Sequence, residues 1–322
     1  MSIYVTRNAT KLYRNGQEFR FASLNTPNLH LIEKPWQPPS AFEQLDALYA
    51  IAALSGQVTR TYTISIPRNA DDKSRHIVVQ SGYGTSAVTW KWNEELMQAM
   101  DNALDIAQRF DVYIIIPLID RWEWVGGIQE FANMFGLGID DFFINRAIRD
   151  GWVRFVSEII SRNSSVTGKP YREHTSLLAW ETGNELSFKN GPVPSDWTIS
   201  TCELIKSIDI NHLVIDGTYG KFGWESGALA HPCIDIYSNH YYLEDAVFDS
   251  KGTRVVVYST AAVLALLVIG ATYYNKWRKC KVRLIPLRLL RVGLLILIHL
   301  WIMQAAVSKA VPVLTSSKKS HT

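Results

Sequence analysis

The sequence predicts an α/β protein of the (β/α)8 TIM-barrel type, incomplete at about six βα units and followed by hydrophobic, transmembrane-like helices. Three observations predict it. Strand-length apolar runs alternate with helix-length amphipathic runs over residues 1–250, the pattern of βαβ units and a parallel sheet. Short polar motifs follow the C-terminal ends of successive strands, where barrel enzymes carry their sites. After residue 250 the composition changes abruptly to apolar and basic.

The elements follow in order. Residues 19–25 (FRFASLN) read as the first strand, followed by a Pro-rich loop and a helix over 41–55. Residues 57–64 (QVTRTYTI), rich in β-branched side chains, form the second strand. A helix over 93–110 places Leu96, Met100, Ala103, Leu104 and Ala107 at helical spacing, with Asn93 as its cap. Residues 112–119 (VYIIIPLI) are continuously apolar, the mark of a strand buried on both faces. Then come a helix over 142–162, a strand over 177–180, a helix over 197–208, and strands over 213–216 and 234–239. Six strands leave two edges, so strands one and six would lack partners. A doubly wound sheet is disfavoured: it would gather its polar groups at one switch point, and no GxGxxG or Walker loop is present.

Two domains are expected, an incomplete barrel over 1–250 and a basic tail over 251–322. The net charge of +3 conceals a split between them. Of 33 Lys+Arg and 30 Asp+Glu, 12 of the former and none of the latter lie from Lys251 onward. That leaves 21 basic against 30 acidic residues before it, a net of −9, which argues against nucleic-acid binding by the barrel. Residues 255–274 carry no charge and suffice for one membrane span, with a possible second at 292–308. Seven basic residues between Lys276 and Arg291 would face the cytoplasm, placing the barrel on the extracellular or lumenal side. Residues 1–16 contain no apolar run, so no cleavable signal is expected there. Cys202 and Cys233 are read as ordinary buried thiols, and Cys280 belongs to the tail. Sequons at Asn8 and Asn163 favour a secretory route only weakly.

The chemistry centres on Trp180-Glu181-Thr182-Gly183-Asn184-Glu185. Glycoside hydrolysis needs a carboxylic acid beside the leaving oxygen, and an Asn before it can reach the sugar 2-hydroxyl. Alone, Asn184-Glu185 also reads as a helix cap after a strand. Arg60 could equally be a surface salt bridge, and His240 with Tyr242 a core hydrogen bond. Their convergence on one barrel face favours a site.

The sequence resembles the endo-β-1,4-mannanase branch of glycoside hydrolase family 5, especially its fungal members. The phrases that carry this are FRFASLNTPNL at 19–29, GQVTRTYT at 56–63, IIIPLIDRWEWVGG at 114–127, LAWETGNEL at 178–186, HLVIDGTYG at 212–220 and IDIYSNHYY at 234–242. The resemblance implies a retaining glycosidase acting on β-mannan, with no cofactor and no metal. Within it Glu185 would be the acid/base, Asn184 would contact the 2-hydroxyl, and Arg60 would orient the nucleophile. His240 would sit at the −1/+1 region, Tyr242 would hydrogen-bond the nucleophile, and Trp122 and Trp124 look like subsite platforms, a core role for either being equally open. Two departures stand out. Asp120-Arg121 replaces the usual Asn-containing pair before the Trp, and no Glu in a Gly-Glu-Phe or Gly-Glu-Tyr setting follows Tyr242. The alternative is a carbohydrate-binding membrane protein without turnover, or a truncated gene product.

Overall fold

The computed structural model describes residues 3–240. Tyr242, the carboxylates Glu244, Asp245 and Asp249, Cys280 and both candidate membrane spans lie outside the described residues. Among the described residues, no helix is long and apolar enough to cross a membrane.

The chain opens with three short antiparallel strands, β1 (Thr6–Asn8), β2 (Lys11–Arg14) and β3 (Gln17–Phe19). Helix α1 (Ala41–Ala53) starts at Ser40, whose hydroxyl accepts from Glu43 N–H while the Glu43 carboxylate accepts from Ser40 N–H. Strand β4 (Val58–Arg60) is followed by a hairpin of β5 (Ile77–Ser81) and β6 (Thr89–Trp92), then by α2 (Glu94–Arg109). Asn93 caps α2, accepting from Glu95 N–H at 3.2 Å. The remaining elements are β7 (Tyr113–Pro117), α3 (Ile128–Met134), α4 (Arg146–Ile160), β8 (Leu177–Glu181), α5 (Ser195–Ile208), β9 (Leu213–Asp216), α6 (Ser226–Ala230) and β10 (Ile236–Tyr237).

Among the described residues the main sheet has five strands in the order β10-β9-β8-β7-β4, every pair parallel. This is the curled sheet of a TIM-barrel-like fold with part of the ring. One expected strand is corrected. Residues 19–25 do not join the sheet: a turn at Asn15-Gly16, both in the left-handed region, folds Gln17–Phe19 back onto β2. The chain then runs past β4, touching it where Thr26 N–H donates to Arg60 C=O at 3.1 Å.

Two apolar layers flank the sheet. The larger lies under the helices, where Phe131, Phe142, Trp152, Phe155 and Trp197 form an aromatic nest. On the other face, Val5 and Phe19 pack with Val58, Tyr113, Leu178, Ala179, Leu213 and Ile215, so the N-terminal strands plug the sheet's concave side. The expectation of free thiols is also corrected: Cys202 and Cys233 are joined as a disulfide, with Cα atoms 6.1 Å apart.

A buried polar chain crosses the loop region above β4. Ser65 N–H donates to His76 Nδ1 (3.1 Å), so that nitrogen is an acceptor. His76 Nε2 must then carry the proton given to His30 Nδ1 (3.0 Å), and His30 Nε2 donates to Tyr62 C=O (2.9 Å). Every tautomer is fixed. Burial pulls His30 down to about 4 and His76 well below its usual value, so both imidazoles are neutral.

Candidate functional site

The candidate residues gather at the C-terminal ends of three adjacent strands. Arg60 ends β4, Asp120 to Trp122 follow β7, and Glu181 ends β8 with Asn184 and Glu185 beyond it. Backbone pairing continues past β7 and β8: Asn184 N–H donates to Ile119 C=O (2.7 Å), and Arg121 N–H donates to Asn184 C=O (3.0 Å). Gly183 makes this approach possible, since a Cβ there would stand 2.7 Å from Ile119 O. A Cβ on Gly217 of the next strand end would lie 1.7 Å from Gly183 O. Glu185 itself adopts φ +51°, an unusual conformation for a side-chain-bearing residue. Strained backbone of this kind is concentrated at functional sites.

Arg60 is no surface salt bridge. Its Nε donates to Glu181 Oε2 at 2.6 Å, and Glu181 is 1% exposed. A second guanidinium nitrogen donates to Asn184 Oδ1 at 3.0 Å. From the other side, Asn184 Nδ2 donates to Asp120 Oδ1 at 2.9 Å. The amide is therefore clamped, its oxygen toward Arg60 and its nitrogen toward Asp120. Burial lowers the Arg60 guanidinium, but Glu181, with Asp120 and Glu185 behind it, more than offsets this and holds it raised. Burial pushes the Asp120 carboxyl up to about 6, and the nearby Glu185 charge adds to that. Hydrogen bonds from Asn184 and Trp122 N–H, with the Arg60 charge, resist the rise.

Glu185 is buried and held at both oxygens. Trp122 Nε1 donates to Oε2 at 2.6 Å, and His240 Nδ1 lies 2.8 Å from Oε1. Trp122 and Trp124 are 50% and 43% exposed, which removes the core alternative for both. Trp124 meets Trp36 edge-to-face at 6.0 Å and carries Lys34 Nζ 4.8 Å above its ring. Arg121 reaches Ser187 Oγ at 3.1 Å.

The structure thus brings together Arg60, Asn184, Glu185, His240 and Trp122, while Trp124 meets Trp36 and Lys34. Glu181 is the residue that sequence reasoning missed. Its signal was present, as a carboxylate ending an otherwise apolar strand and so in need of a buried partner.

The chain matches the model of the family described as "GH family 5 beta-mannosidase-like" over residues 138–255. It is 28% identical over 247 residues to mannan endo-1,4-beta-mannosidase 8 of Oryza sativa, covering 72% of this chain and 60% of that protein. It is also 28% identical over 180 residues to mannan endo-1,4-beta-mannosidase F of Aspergillus clavatus, covering 50% and 39%. The chain therefore spans less than two thirds of these relatives' lengths. An endo-1,4-beta-mannanase from Rhizomucor miehei shares the fold, with a TM-score of 0.67 at 22% identity, covering 80% of this chain and 78% of that one. In sequence the chain is similar to mannan endo-1,4-beta-mannosidases over part of their length, and in fold it is similar to a mannanase of known structure.

Proposed function

We propose that the N-terminal unit is built for retaining hydrolysis of β-1,4-mannan, with Glu185 as the acid/base. One observation carries this reading: Glu185 is gripped at both carboxylate oxygens, by Trp122 and His240, beside an Asn184 amide clamped between Arg60 and Asp120. In this reading a protonated Glu185 gives its proton to the glycosidic oxygen as the bond to the anomeric carbon breaks. The Asn184 amide has a second N–H to offer the 2-hydroxyl, and the clamp fixes its direction. Trp122 and Trp124 present half-exposed faces on which sugar rings stack. Release of reducing sugar from galactomannan by the purified chain, compared with a β-glucan control, tests the activity. Glu185→Gln is expected to abolish it. Undiminished release by that variant would remove Glu185 from the role.

A second reading, a carbohydrate-binding protein without turnover, is favoured by the lack of any Gly-Glu-Phe or Gly-Glu-Tyr segment between Tyr242 and Thr322. A retaining enzyme needs a second carboxylate about 5–5.5 Å from the first. A tryptophan fluorescence shift on adding mannohexaose, in a protein that releases no sugar from galactomannan, selects this reading. The uncharged stretch 255–274 and the basic residues after it support membrane attachment with the barrel on the extracellular or lumenal side. Recovery of the chain in a carbonate-washed membrane fraction is the expected result.

A further inference from the structure

Away from Glu185, α5 passes the turn that leads into β10. Cys202, on α5, is fully buried, whereas Cys233, in the turn His231-Pro232-Cys233, is half-buried. His231 Nδ1 lies 3.0 Å from Cys233 Sγ. The other nitrogen of the same ring, Nε2, lies 3.5 Å from Oε1 of Glu203, the residue after Cys202. Helix and turn are therefore joined twice, sulfur to sulfur and carboxylate to imidazole. Other charges line the turn: Arg7 of β1 donates to Pro232 C=O (3.0 Å) and pairs with Asp235 (3.1 Å), which also pairs with Lys206 of α5 (2.8 Å).

A bridged sulfur is a weak hydrogen-bond acceptor and gains little from a nearby imidazole. A thiolate gains much, because an imidazolium beside it stabilises the charge, and a carboxylate on the far nitrogen stabilises the imidazolium. We propose that Cys202 and Cys233 form a redox-active pair in which Cys233 is the reactive thiolate, His231 holds its proton, and Glu203 orients His231. A dithiol or phosphine reductant opens the bond with two electrons and two protons, giving two thiols. The Cys233 proton passes to His231 Nδ1. With a peroxide as oxidant, the Cys233 thiolate attacks the O–O bond, forming S–O and releasing one oxygen as water after it takes a proton from His231. Cys202 sulfur then attacks Cys233 Sγ; S–S forms, S–O breaks, and the departing hydroxide takes the Cys202 proton to give a second water. The cross-link tethers the segment that carries β10 and, beyond it, His240.

The test uses the full chain, reduced with a phosphine, desalted and pulsed with iodoacetamide between pH 5 and 9, with labelled cysteines identified by peptide mass spectrometry. Cys233 should alkylate with a midpoint at least one unit below the ordinary thiol value of about 8.5. Cys202 should stay unlabelled until the chain is unfolded, and hydrogen peroxide should restore the Cys202–Cys233 bond. His231→Gln should return the Cys233 midpoint to the ordinary range. Should that variant lose its fold, seen as Cys202 labelling as fast as Cys233, Glu203→Gln decides instead, since its side chain is 61% exposed and bears little packing. There the midpoint should rise part of the way. A wild-type midpoint near 8.5, a midpoint unmoved by both variants, or failure of peroxide to restore the bond overturns the proposal.

Discussion

Replacing Arg60 by Leu isolates what the strand-end ion pair does. The guanidinium side chain is 18% exposed and its carboxylate partner 1% exposed, at 2.6 Å. Removing the cation strands Glu181 in the sheet, and breaking a buried pair from one side costs about 3–5 kcal/mol. Its Oε1 finds no hydrogen-bond partner among the described residues, so no second donor softens the loss. Urea unfolding followed by tryptophan fluorescence should show the midpoint falling on the order of 1–2 M. The double variant Arg60→Leu with Glu181→Leu should regain most of the stability, because charge and partner leave together. A midpoint shift under about 0.3 M in the single variant, or a double variant no more stable than the single, would refute the reasoning.

Three further outcomes follow from neighbouring groups. Asp120 has its pKa raised to about 6 in the fold, so its contribution is present below its unfolded value and is lost as pH rises through 6. Asp120→Asn should therefore unfold later in urea than the parent at pH 7, by up to about 3 kcal/mol, with the gap closing below pH ~4; a gap independent of pH sinks the assignment. The neutral His30–His76 pair works in the opposite direction. Its stability is present above the ordinary histidine value and is lost as pH falls from about 6.5 toward 4, costing about 3 kcal/mol for His30. Measured in the Asp120→Asn background, a urea midpoint flat between pH 7 and 4.5 contradicts it. Gly217→Ala places a methyl group 1.7 Å from Gly183 O and should cost about 3 kcal/mol or more, read as a lowered urea midpoint; a variant as stable as the parent would show that the two strand ends are not held so closely.

Much of the framework was legible because it is local. The periodicity of Leu96, Met100, Ala103 and Leu104 located α2, Asn93 capped it as expected, and β9 fell on the expected residues. The helix expected from 142 begins at Arg146, because Asn145 takes the cap and the residues before it turn tightly. The lost first strand shows where pattern fails. Residues 19–25 have strand composition, but a strand also needs a ladder partner, and Phe19 finds one in Leu12 instead. In the site, Arg60, Asn184, Glu185 and His240 were legible as polar groups after successive strands. The partners that define their chemistry were not: the Arg60–Glu181 pair spans 121 positions and the Trp122–Glu185 bond spans 63, so no local spacing encodes them. His30 and His76 likewise meet only through tertiary packing.

The contacts around Glu185 show how the proposed acid/base site is held by the five sheet strands among the described residues. Arg60 ties β4 to β8 through Glu181 and Asn184, and Asp120 ties the end of β7 to the end of β8. The three strands are neighbours in the order β8-β7-β4, so this clamp is local to one stretch of sheet and is independent of ring closure. His240 is the exception. It approaches Glu185 from beyond β10, at the opposite edge, and its Nδ1 occupies one carboxylate oxygen while the Trp122 indole occupies the other. In the proposed retaining mechanism a nucleophilic carboxylate would have to stand about 5–5.5 Å from Glu185. Binding and turnover therefore make separable demands. In the proposed function, clamped Asn184 and the tryptophan faces would hold a sugar, whereas bond cleavage by retention would also need a second carboxylate. Mannohexaose binding that survives Glu185→Gln, with or without sugar release by the parent chain, is the outcome this division of labour predicts.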